Sequence, residues 1–133
     1  MFNNRNLGRM TFLAGALIDG LIALSWFAIA AGMPLPNILA GYTGAGDDYQ
    51  FAMYIAGMFM MGWTMILYWG AQDPVSRKEI LVISAFMLIL SVVIEVAFYW
   101  SVLAGFGFFL GVTKRLVISG IMLWVYWRLK QLN

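Results

Sequence analysis

Four apolar runs dominate the chain, from about Met10 to Gly32, Tyr49 to Ala71, Ile80 to Leu103 and Phe106 to Trp127. Each is close to the ~20 residues that a helix rising 1.5 Å per residue needs to cross a hydrocarbon core of about 30 Å. A segment inside lipid must satisfy its own backbone, so only helices and closed barrels can span. None of the runs shows the period-two alternation of a barrel strand. The expected fold class is all-α: a four-transmembrane-helix bundle forming a single integral membrane domain over residues 1–133, with helices at about 10–32, 49–71, 77–103 and 106–129.

Composition narrows the chemistry. Charged residues are 11% of the chain, against about 25% in soluble domains, too few to cover a water-soluble globule of this size. There are no cysteines and no histidines, which removes disulfides, thiolate catalysis, iron–sulfur and zinc–thiolate sites, and the commonest haem ligand and general base. The ionisable groups left are carboxylate, amine, guanidinium and phenol. Met33, Met53, Met58, Met60, Met61 and Met65 form a thioether-rich region, but they spread around the second helix, so packing is expected rather than Cu(I) binding. No metal or cofactor is expected.

Arg5 and Arg9 precede the first run, and Ala28-Ile29-Ala30 has the spacing of a leader cleavage site. The run exceeds the usual apolar region of a leader, about 7–15 residues, and contains Asp19, so it is expected to remain as a span. Arg5, Arg9, Arg77, Lys78, Arg128 and Lys130 all fall on one side if the chain crosses four times, with Asp47 and Asp48 on the other. The positive-inside rule then puts both termini in the cytoplasm, in a multi-pass protein of the cell (inner) membrane. Tyr68, Trp69, Trp124, Tyr126 and Trp127 would mark the inner interface, and Tyr42, Tyr49, Tyr99 and Trp100 the outer one.

The connections carry their own punctuation. Met33-Pro34-Leu35-Pro36 stops the first helix. The stretch from Asn37 to Asp48, with three glycines, is long enough to fold over a cavity mouth, and Asp47 or Asp48 can cap the second helix. Ser76-Arg77-Lys78-Glu79 reads as a capping box for the third helix, with Asp73-Pro74 as a competing start. The short link around Ala104-Gly105-Phe106-Gly107 makes the last two helices antiparallel neighbours.

Lys114 and Arg115 conflict with this order. The run from Leu116 to Trp127 covers only about 18 Å of helix, so the fourth helix must begin earlier and carry both cations into the membrane. The alternative is a short helix, a thinned bilayer and two side chains reaching the outer surface. On the buried reading Asp19, Arg115, Lys114 and Glu95 lie roughly 15, 18, 20 and 24 Å from the inner interface. Four unpaired charges there would cost on the order of 10–14 kcal/mol, comparable with the stability of a domain. They are expected to face the interior and pair, with Glu95 meeting Lys114 or Arg115, and together they form the candidate ligand or ion pathway. Helical spacing agrees: Ser84, Ser91 and Glu95 share one side, as do Gly107, Gly111, Arg115 and Ser119, and Gly15, Ala16, Asp19 and Ala23. The last two sets are small-residue faces suited to close packing. Trp26, Trp63, Thr64, Ser91 and Tyr99 are the candidate pocket lining.

The residues Gly62-Trp63-Thr64, Tyr68-Trp69, Asp73-Pro74-Val75-Ser76-Arg77-Lys78 and Glu95 resemble those of small, uncharacterised four-helix bacterial membrane proteins. In these a tryptophan-rich second helix leads into a Pro-Val-x-Arg turn and the third helix bears an acid. The resemblance covers about a third of the chain and implies the four-helix topology, with no activity attached.

Three functions fit these residues. One is a small module, homo-oligomeric or part of a larger membrane complex, that binds or transports a small solute, proton or lipophilic ligand through Asp19, Glu95, Lys114 and Arg115. Another is an acid/base enzyme on a lipid-soluble substrate, with Glu95 or Asp19 moving the proton. The third is a structural or accessory subunit whose balanced charges set helix register. The bilayer is the expected surroundings, and no basic patch or phosphate loop suggests nucleic acid.

Overall fold

The computed structural model describes residues 3–37, 43–100 and 106–132, and gives no side-chain detail for 106–108. It contains four helices: α1 (Asn4–Ala30), α2 (Asp47–Gln72), α3 (Glu79–Phe98) and α4 (Phe106–Lys130). No β-strand occurs among the described residues. All four helices are long and apolar enough to cross a membrane, the span in α4 covering Phe109–Lys130. The chain is thus all-helical and has the form of a multi-pass membrane protein. Large apolar side chains such as Leu17, Phe59, Met65, Phe98 and Trp127 lie exposed around the outside, as lipid-facing surfaces require.

Helix ends differ from the sequence reading in instructive ways. α1 starts about six residues early, because the Asn3 side chain accepts the Arg5 amide at 3.1 Å and caps it. Neither Asp47 nor Asp48 caps α2. Gly46, at φ 90°, takes that position, and the two acids lie in the first turn, where they complement the helix dipole. The capping box at Ser76–Glu79 does not form either: Lys78 precedes α3 without a side-chain bond to its amides. Ser76 instead bonds back to Asp73 through hydroxyl and amide, so Asp73-Pro74 starts a separate turn ahead of α3. α3 itself is shorter than expected, ending at Phe98. Ala104-Gly105 and residues 38–42 of the first loop, Tyr42 included, lie outside the described residues.

The helices form two hairpins. α1 packs along most of α2, and α3 along α4. Bare backbone makes the first packing close: a Cβ on Gly70 would stand 2.5 Å from Phe12 Cε1, and one on Gly57 would be 3.0 Å from Phe27 Cε1. In the second hairpin Trp100 meets Phe109 edge-on with ring centroids 6.1 Å apart, bringing the end of α3 to the start of α4.

The hairpins join mainly at one end. There Phe12, Ala16, Leu67, Ala71, Leu81, Ala85, Met122, Val125 and Leu129 make a core to which all four helices contribute. The N-terminus of α1 and the C-terminus of α4 share this end: Asn4 Nδ2 donates to the Arg128 carbonyl at 3.4 Å. Toward the other end the second cluster, built on Ile22, Trp26 and Ile29 with Tyr49, Met53, Ala56 and Met60, draws on α1 and α2 alone. Contact between α2 and α3 is slight. The hairpins therefore part in the middle of the bundle, and the space between them is the site described next.

Candidate functional site

A cavity of about 990 Å³ opens between the hairpins, with walls from all four helices. α1 contributes Gly15, Ile18, Asp19, Leu21, Ile22 and Trp26; α2 contributes Ala56, Phe59, Met60 and Trp63. From α3 come Ile83, Ser84, Met87, Leu88 and Ser91, and from α4 Gly111, Lys114, Arg115, Ile118 and Met122. Leu21, Phe59, Ile83 and Met87 are also at least half exposed, so the cavity is open along this apolar rim.

Arg115 is the largest fully buried side chain among the described residues, 1% exposed. Its guanidinium meets Glu95 in a two-pronged pair, with Nη1 to Oε1 at 2.8 Å and Nη2 to Oε2 at 2.5 Å. Nη1 also donates to Ser91 Oγ at 3.1 Å, and Nε to the Gly111 carbonyl at 3.2 Å. This fork-on-fork geometry is the strong form of the charge-assisted hydrogen bond. It also removes the main cost of placing a cation that cannot lose its proton inside lipid. Below it, Ser119 Oγ donates to the Arg115 carbonyl at 2.7 Å and reaches the Ala85 carbonyl at 3.4 Å, a second tie between α4 and α3.

Lys114 and Arg115 do not share one fate. Consecutive residues on a helix point about 100° apart, so while Arg115 turns into the α3–α4 seam, Lys114 is exposed on the cavity wall. The snorkelling alternative fails for Arg115. Asp19 faces the same cavity from α1, partly buried. It makes no hydrogen bond or ion pair among the described residues. The four expected charges thus separate into a closed Glu95–Arg115 pair with Lys114 on one hairpin and, across the cavity, Asp19 on the other.

Of the expected lining residues, Trp26, Trp63 and Ser91 border the cavity. Thr64 does not: its hydroxyl donates to the Met60 carbonyl at 2.9 Å and its methyl faces Gly20. Tyr99 lies half exposed, apart from the lining. Sequence reasoning missed the polar partners that hold the tryptophans. Trp63 Nε1 donates to Ser84 Oγ at 3.2 Å, a rare bond between α2 and α3. Trp26 Nε1 donates to the buried Asn37 Oδ1 at 3.1 Å. The serine stripe on α3 pointed to Ser84, whereas nothing in the local sequence marks Asn37, a loop residue brought in by the chain reversal after α1.

At the joined end the cations meet aromatic rings. The Arg77 guanidinium stacks 3.7 Å from the Trp69 ring centre and donates to the Trp69 carbonyl. Arg128 lies 5.3 Å from the ring of Trp124. Comparison with protein-family models, curated proteins and solved structures finds no match for this chain, so the cavity and its charges carry the functional argument alone.

Proposed function

We propose that the protein is a membrane binding module that takes a lipophilic small molecule from the bilayer into the crevice between its two hairpins. The observation that carries this reading is the cavity of about 990 Å³, apolar over most of its wall and carrying Asp19, Lys114 and Arg115. Pockets of roughly 300–1,000 Å³ with few polar groups in an apolar lining are the usual form of small-molecule sites. An intramembrane charge is by default a functional group. Handling of the bound molecule, including its transport, belongs to the same proposal, as does assembly into a homo-oligomer.

We further propose that both termini face the cytoplasm in the inner membrane. The support is the gathering of Arg5, Arg9, Arg77, Lys78, Arg128 and Lys130 on the end where the termini meet, with Arg77 and Arg128 stacked on interfacial tryptophans. A reporter fused after Asn133 that is active only in the cytoplasm reads this directly.

The binding test is lipid extraction from protein purified in native-lipid discs, comparing the natural chain with Ile83→Trp. Ile83 is half exposed at the cavity wall, so the larger ring enters the crevice without displacing the core. A co-purifying lipophile that disappears in the variant, at unchanged thermal stability, supports the reading. An identical lipid profile in both proteins removes it. The self-contained Glu95–Arg115 pair favours a second reading, an accessory subunit whose charges set register. That reading predicts the identical profile together with a stable partner protein in mild detergent.

A further inference from the structure

The polar atoms around the cavity are unequal, and the difference defines a head group. Ser84 Oγ donates to the Ile80 carbonyl at 2.8 Å and accepts from Trp63. Ser91 Oγ donates to the Leu88 carbonyl at 2.8 Å and accepts from Arg115. The indoles of Trp26 and Trp63 are engaged with Asn37 and Ser84. Arg115 is held by Glu95, Ser91 and Gly111. Asp19 differs: it borders the cavity from the opposite hairpin and has no hydrogen-bond donor among the described residues. An ionised carboxyl accepts only, with room for several donors, and within lipid a carboxylate without a donor is expensive. A donor carried by what enters the cavity would relieve that cost.

Charge then limits that entrant. Asp19 and Lys114 on the wall have opposite signs, and the buried Arg115 is matched by Glu95, so the cavity is neutral as built. An anionic head leaves Asp19 facing a like charge, and a cationic head leaves an excess positive charge beside Lys114. A head without net charge that donates a hydrogen bond disturbs neither. We infer that the occupant is an uncharged, hydroxyl-bearing lipophile, its hydroxyl donating to Asp19 and its apolar body lying along Ile18, Phe59, Ile83 and Met87. This rests on the binding function proposed above and specifies the ligand class of the same site.

Three C18 amphiphiles with one tail and different heads test it: oleyl alcohol, oleate and oleylammonium. Each is titrated into the full-length protein in nanodiscs, and bound stoichiometry is read by native mass spectrometry. The expected result is saturable 1:1 binding of oleyl alcohol at least about tenfold tighter than either ion, the scale of one hydrogen bond to a charged group. Asp19→Asn is expected to weaken oleyl alcohol by about tenfold and narrow the gap to oleate, because the cavity then carries a net positive charge. The comparison of the three heads on the natural chain needs no variant, so it stands even if Asp19→Asn folds poorly. Equal binding of all three, abolished by Ile83→Trp, overturns the head-group assignment and leaves the binding function intact. Absence of saturable binding by any of them overturns both.

Discussion

Replacing Glu95 with alanine takes away the carboxylate that receives two of Arg115's hydrogen bonds and leaves a guanidinium only 1% exposed. Arginine cannot escape by losing its proton. Its remaining acceptors are one serine oxygen and one backbone carbonyl. Breaking a buried pair by removing one partner costs about 3–5 kcal/mol. The Glu95 side chain is 19% exposed, and polar contacts inside membranes measure about 0.6 kcal/mol on average, so the low end applies, about 3 kcal/mol. For a chain of 133 residues that is a fall in melting temperature on the order of 10 °C. The converse change, Arg115→Met, leaves behind the more exposed partner, a carboxyl group 19% exposed, and costs less, about 1–2 kcal/mol. The double variant Glu95→Ala with Arg115→Met removes both charges and is expected within about 1 kcal/mol of the natural chain, since buried pairs replaced whole by apolar groups are near neutral. Thermal unfolding in detergent, followed by the fluorescence of the six tryptophans, measures all three. The reasoning is refuted if Glu95→Ala proves milder than Arg115→Met, or if the double variant loses the sum of the singles.

Further changes test the packing and the turn. Gly70→Ala puts a methyl 2.5 Å from Phe12 Cε1 and is expected to lower stability by about 1–3 kcal/mol, while Gly62→Ala, which meets nothing within 4 Å, leaves the melting temperature unchanged or slightly raised. Trp63→Phe keeps most of the ring but gives up the bond to Ser84; a loss of about 1 kcal/mol is expected, and cross-linking between cysteines introduced into α2 and α3 should report a looser crevice. The Asp73 carboxyl is held below its ordinary range, first by the Ser76 hydroxyl, then by the Ser76 amide and the charges of Arg5 and Arg77. A lowered carboxyl pKa stabilises the fold above its unfolded value and ceases to do so as pH falls through the folded one. The melting-temperature gap between the natural chain and Asp73→Asn is therefore expected to be open at pH 7 and to close below about pH 4.

Some of the site was readable along the chain. The register of α3 and α4 follows from 3.6 residues per turn, which puts Ser91 and Glu95 on one side of α3 and Arg115 with Ser119 on one side of α4, while leaving open whether Glu95 meets Lys114 or Arg115. The mean spacing of the small residues likewise anticipated that Gly15, Ala16 and Ala23 would be buried on one side of α1. The same periodicity separates Lys114 from Arg115, a distinction missed when the two were treated as one basic pair. The helix caps were less legible, because Gly46 and Asp73 do their work through backbone angles and short turns that several local sequences could adopt.

What the sequence determined alone is the number of spans, their helical form and the need to pair an arginine that lipid would not tolerate unpaired. These rest on hydropathy, length and charge, properties of each segment by itself. The tertiary structure alone decided that α1–α2 and α3–α4 are the intimate pairs, that a shared core joins them mainly at the end where the termini meet, and that a crevice remains between them. Helices that are apolar on nearly every side have no preferred face in lipid. Which faces meet is settled by the fit of particular side chains from distant parts of the chain, Phe12 against Gly70, Phe27 against Gly57, Arg115 against Glu95, and the cavity that faces Asp19 is the space these fits leave open.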